Sequence, residues 1–136
     1  MLTAILDLIF PPSADARIVK AATVEQFLLE YRPRGALGGA GALSSYQSPL
    51  IRAAIHEAKF YRNQKAMTLL GALLARHLAT REEREHHLAP IPLSRNRLRE
   101  RGYNQVLEIV HAARRAGGVG ALHIPATLRI KVRHTP

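Results

Sequence analysis

Residues 90–105 read P-I-P-L-S-R-N-R-L-R-E-R-G-Y-N-Q and join a short apolar run to a segment with helical spacing. Arg95, Arg97, Arg99 and Arg101 stand two apart, with Glu100 as the acid among them. In an extended chain, side chains alternate between faces, so this spacing sends all four guanidinium groups to one side as a comb of donors for a polyanion. In a helix, steps of roughly 200° scatter them around the axis. Gly102 and Asn96 are residue types that favour loops and left-handed backbone, and they point to the extended or looped form.

The flanks set this stretch in an α/β pattern. Residues 88–93 form a compact apolar strand, with Pro90 and Pro92 placing it near an edge or at a strand end. Residues 103–115 return to helical spacing through Val106, Leu107, Val110 and Ala113, and Gly117-Gly118 stops them. Residues 121–124 supply a second short strand. Strand, helix and strand in about 35 residues make a parallel crossover unit. Ligands of open α/β sheets bind at the carboxyl ends of such strands, which is where Ser94 to Gly102 fall.

Upstream the pattern is helical. Ser48 is an N-cap, Pro49 a first helical residue, and Leu50, Ile51, Ala54, Ile55 and Ala58 share one face. Residues 64–80 bring Met67, Leu70, Gly71, Leu74 and Leu78 inward, and residues 23–31 carry Val24, Phe27, Leu28 and Tyr31 as a stripe. Residues 2–10 form a short amphipathic helix closed by Pro11-Pro12, needing a surface to pack on. The Gly-rich residues 34–45 read as a linker or turn, because no strand precedes them and no Lys-Ser/Thr pair ends them. Residues 81–87, R-E-E-R-E-H-H, read as a charged break.

The 136 residues suffice for one domain with an unstapled core. Cysteine is absent, which excludes disulfides and thiolate metal sites and fits a reducing compartment, and the chain is read as cytoplasmic. The run ending at Phe10 contains Asp7 and is too short to span a bilayer. The net charge of +10 is uneven: residues 1–45 hold four basic and four acidic groups, while the remainder holds 16 against six. That excess implies an anionic partner or a missing acidic portion of the protein, against the plainer reading of a generally soluble basic surface.

Seven histidines raise the question of a metal, but no H-E-x-x-H or paired Cys/His spacing occurs. Glu82, Glu83, Glu85, His86 and His87 are the local cluster of ligand types. Adjacent histidines point different ways, so a solvated loop is expected and no metal ligand is assigned. Ser13 and Ser94 lack any partner pattern that would mark a nucleophile, and no catalytic residue is assigned.

The central run resembles the signature of ComF-type proteins, the competence-associated branch of the type I phosphoribosyltransferases. L-D-L-I-F-P-P at residues 6–12, S-P-L-I-R-A-A-I-H-E-A-K-F at residues 48–60 and L-R-I-K-V-R-H-T-P at residues 128–136 resemble further pieces of that family. The resemblance implies a partial phosphoribosyltransferase-like α/β fold, its helices packed on a small, mainly parallel sheet. Residues 1–45 would form an N-terminal helical segment and linker, and residues 46–136 the first part of the core domain. It further implies a loop of Ser94, Arg95, Arg97, Arg99, Arg101 and Gly102 facing the pyrophosphate of phosphoribosyl pyrophosphate, with Tyr103, Asn104 and Gln105 supporting it and Mg²⁺ accompanying the ligand. The family's zinc ribbon has no counterpart without cysteine, so no zinc is inherited. The acidic loop that holds ribose and metal has none either, since the aspartates are Asp7 and Asp15. The chain therefore reads as half of a site, truncated or completed by a C-terminal partner chain. The alternative implied by the same resemblance is single-stranded DNA binding during DNA uptake, with Tyr103 as the aromatic beside the arginines and no transferase activity.

Overall fold

The computed structural model describes residues 1–35 and 39–125. Helix α1 (Leu2–Ile9) forms as its spacing predicts, but Leu2, Ile5, Leu6 and Ile9 remain exposed. Helix α2 (Ala14–Ala21), not expected from the periodicity, starts where the Ser13 hydroxyl accepts the Ala16 amide at 3.0 Å. Asp15 in its first turn and Lys20 in its last both suit the helix dipole, and Val19 is fully buried. In α3 (Val24–Leu28), Thr23 and Gln26 close a reciprocal capping box and Phe27 is buried. Within the Gly-rich stretch, β1 (Arg34–Gly35) and β2 (Gly41–Ala42) form an antiparallel pair.

Helices α4 (Pro49–Phe60) and α5 (Gln64–Ala79) start at Ser48 and Asn63, whose side chains accept amides of the first turn. On α4 the buried face is Ile51, Ala53, Ala54, Glu57 and Ala58, so it is rotated from the expected stripe and Ile55 is exposed. The cause is Glu57. Its carboxylate accepts from the Ser13 hydroxyl at 3.2 Å and from Asn63 Nδ2 at 2.9 Å, joining the caps of α2 and α5 across α4. A buried carboxylate is tolerated because it is hydrogen-bonded in this way.

Among the described residues, two apolar clusters fill the interior. One unites α2 to α5 around Phe27, Met67 and Leu69. The other joins the last turns of α5 to Val110 and Ala113 of α7 (Gln105–Ala116) and to Val119 and Leu122. The α5–α7 pairing is the most extensive helix contact. It turns on Gly71, where an added Cβ would stand 2.5 Å from the Ala112 Cβ.

The parallel crossover is present, with its first strand shifted. β3 (Glu85–His87) pairs in parallel with β4 (Ala121–His123), in the register Glu85↔Ala121, His86↔Leu122 and His87↔His123. The expected strand at 88–93 does not form. Leu88 still donates to the His123 carbonyl at 2.9 Å, but Pro90 and Pro92 have no amide hydrogen to extend a ladder. The pairing moves instead onto the charged stretch, whose alternation buries His86 and exposes Glu85 and His87. Between the strands run α6 (Arg95–Arg101) and α7. Residues 128–136, which carry the last piece of the family resemblance, lie outside the described residues.

Candidate functional site

The extended comb is corrected by the structure: Arg95, Arg97, Arg99 and Arg101 lie on helix α6. Ser94 and Gly102 bracket it. The Ser94 hydroxyl accepts the Arg97 amide at 3.3 Å, and Gly102, at φ 75°, donates to the Leu98 carbonyl as a left-handed C-cap. Of the two residues whose type favours a loop, Gly102 ends the helix and Asn96 lies within it. No residue of α6 is buried, and Leu98 is itself exposed.

On a helix the four arginines separate into two pairs four residues apart. Arg97 and Arg101 line a cleft of about 550 Å³ together with Lys59, Phe60, Glu100 and Tyr103. Lys59 Nζ lies 5.0 Å and Arg101 Cζ 5.8 Å from the centre of the Phe60 ring, which is half exposed. Arg101 also donates to Gln105 Oε1 at 3.1 Å, which holds the guanidinium at the α6–α7 corner. Arg99 instead lines a shallower hollow with Asn96 and Glu100. Of the arginines expected to act together, two face the cleft and two do not; Lys59 and Phe60 join them from α4, 35 residues or more upstream in the chain. A stretch read in one dimension carries no sign of that meeting.

The residues expected to support the loop have structural tasks. The Tyr103 ring is buried, and its hydroxyl lies 2.7 Å from the carbonyl oxygens of Ala58 and Lys59 while accepting the Arg62 amide at 3.1 Å. Arg62 covers the ring at 5.3 Å and pairs with Glu108 at 3.2 Å. Tyr103 therefore has no free face for a nucleobase, against the expected stacking role. Asn104 caps α7 by accepting the Val106 amide at 3.0 Å, and its Nδ2 donates to the Ile91 carbonyl at 3.1 Å. The R-G-Y-N-Q run thus fixes α6, α7, the end of α4 and the segment after β3 to one another.

The cleft suits a polyanion. Three cations around one carboxylate leave a surplus of positive charge, and guanidinium groups offer forked donors matched to phosphate. It does not suit a resident Mg²⁺, which asks for a cage of oxygens that Glu100 alone does not supply.

A second convergence was missed by sequence reasoning. Glu85, His87 and His123 share the exposed face of the β3–β4 sheet, their ligand atoms all within 4.8 Å of one another. The available signal is E-x-H at period two opposite a histidine on a parallel neighbour, hidden because the stretch reads as a charged break rather than a strand.

The fold and these two surfaces define a mixed α/β protein, mostly helical, with a parallel crossover and a cationic cleft beside it. Comparison with known proteins found no matching family model, curated protein or solved structure. Among the described residues, no helix is long and apolar enough to cross a membrane.

Proposed function

We propose that this chain is a cytoplasmic, phosphoribosyltransferase-type protein of the ComF kind that binds phosphoribosyl pyrophosphate or pyrophosphate in the Lys59–Arg97–Arg101 cleft. The observation that carries this reading is the cleft itself, gathered from the end of α4 and from α6, the first helix after the parallel strand β3. Connections that leave the carboxyl ends of parallel strands are where open α/β folds hold phosphorylated ligands. The family resemblance of residues 90–105 supports the same assignment. Phosphate oxygens would take the guanidinium forks of Arg97 and Arg101 and the Lys59 ammonium, and Phe60 would cover the apolar side of a sugar. Mg²⁺ would enter with the diphosphate, chelated by its oxygens.

Transfer from phosphoribosyl pyrophosphate passes through a cationic sugar carbon, which needs acidic groups to steady ribose and metal. The cleft supplies cations for the leaving group and Glu100 as its carboxylate, so the proposal is binding without turnover. The acids would come from a further segment or a partner chain. Isothermal titration with phosphoribosyl pyrophosphate and Mg²⁺ tests this. The expected result is saturable binding, abolished in the double variant Arg97→Ala/Arg101→Ala and kept in Arg95→Ala/Arg99→Ala. Absence of binding, or equal loss in both doubles, overturns the cleft assignment; turnover by the chain alone overturns the half-site.

A second reading is favoured by the half-exposed ring of Phe60 between Lys59 and Arg101, with Tyr61 beside it also open to solvent. An aromatic flanked by cations is the elementary unit of single-stranded nucleic-acid binding. It replaces the stacking role that the buried Tyr103 cannot fill.

A further inference from the structure

We propose that Glu85, His87 and His123 form a binding site for a first-row divalent transition metal ion of the Zn²⁺ class on the open face of the β3–β4 sheet. The proposal rests on the sheet and is independent of the cationic cleft.

Register brings the three together. His87 and His123 are paired positions of adjacent parallel strands, and Glu85 lies two residues before His87, hence on the same face. Burial agrees, since His86 and Leu122 point inward while Glu85, His87 and His123 are exposed. The two imidazole rings stack with centroids 4.8 Å apart and planes 19° from parallel. His123 Nε2 lies 4.0 Å from Glu85 Oε2.

Tetrahedral coordination with bonds near 2.0–2.1 Å sets ligand atoms about 3.3 Å apart. Closing from the observed separations asks each ligand atom to move by about 1 Å, a shift that exposed side chains make by small rotations about χ. The backbone needs no change, because hydrogen-bonded strands already hold all three Cα positions. Two imidazoles and one carboxylate are the donor set of three-ligand Zn²⁺ and Fe²⁺ sites, which leave positions open to water or an anion. Mg²⁺ and Ca²⁺ prefer oxygen alone and fit poorly. The leading class is therefore a borderline ion that accepts nitrogen, bound at an open coordination site.

The test uses the untagged full chain, stripped with a chelator and titrated calorimetrically with ZnCl₂, and in parallel with CoCl₂ followed by visible absorption. The expected result is one saturable site at micromolar metal, with Co²⁺ bands intensified over those of the aqueous ion. His87→Ala and His123→Ala should each weaken Zn²⁺ binding by about tenfold or more, Glu85→Gln should weaken it less, and His111→Ala should bind as the parent does. Circular dichroism checks that each variant is folded. The Co²⁺ spectrum of the parent needs no variant and keeps the test decisive if one misfolds. A Co²⁺ spectrum like that of the free ion, no Zn²⁺ binding at micromolar metal, or unchanged binding in folded His87→Ala and His123→Ala overturns the site.

Discussion

Tyr103 donates its hydroxyl proton across 45 residues of sequence to the carbonyl of Ala58, 2.7 Å away, at the end of α4. The Lys59 carbonyl lies at the same distance, and the Arg62 amide approaches the hydroxyl from the other side at 3.1 Å. Helix ends leave carbonyls without partners, and one phenol satisfies this end while anchoring α7 to α4. Loss of that group leaves buried polar atoms unpaired. Tyr103→Phe should therefore cost about 1–3 kcal/mol, read as a lower urea midpoint at unchanged slope. An unchanged midpoint would show that water replaces the phenol without loss.

Gly71 is where α5 and α7 touch most closely. Its missing Cβ is matched by the Ala112 side chain and by backbone atoms of Ala112 and Ala113 at 2.8 Å, neither of which can turn aside. Gly71→Ala should push the helices apart and destabilise by about 1–3 kcal/mol, although alanine is the better helix former. A rise in the thermal midpoint would mean that propensity outweighs the clash.

Asn104 links two elements through one side chain. Asn104→Ala removes a helix cap, a loss of about 1 kcal/mol. It also removes the tie to the Ile91 carbonyl, so amide exchange should quicken in residues 88–94 beyond the global change. Exchange accelerated uniformly over the chain would contradict a local tie.

Single-stranded DNA binding at the Phe60 surface should be electrostatic in the main and fall steeply as salt rises. Filter binding at two salt concentrations reads the slope, and Phe60→Ala should weaken binding by about 1–3 kcal/mol if bases stack on that ring. No retention at low salt removes the nucleic-acid reading.

The helices with strong apolar periodicity, α4, α5 and α7, were legible because tertiary packing uses the same faces that periodicity marks. Within α4 the register of burial was not, since Glu57 enters the interior on the strength of Ser13 and Asn63, which lie in other elements. The crossover was legible as a pattern, yet its first strand was placed on the apolar residues 88–93, and proline chemistry moved it to E-H-H. The arginine segment differs from its reading for a related reason. Gly102 and Asn96 favour a loop by residue type, whereas Gly102 is the C-cap of a seven-residue helix that Ser94 opens and that contains Asn96. Cleft and metal-type cluster both escaped the sequence because each draws on residues more than 30 positions apart.

α5 contributes to both apolar clusters, Met67 and Leu69 to one and Ala75 and Leu78 to the other. A rod shared in this way denies either half an independent melting point: heat or denaturant that loosens one end withdraws the support of the other. The chain should consequently lose its structure in a single concerted step, its two interiors rising and falling as one thermodynamic unit.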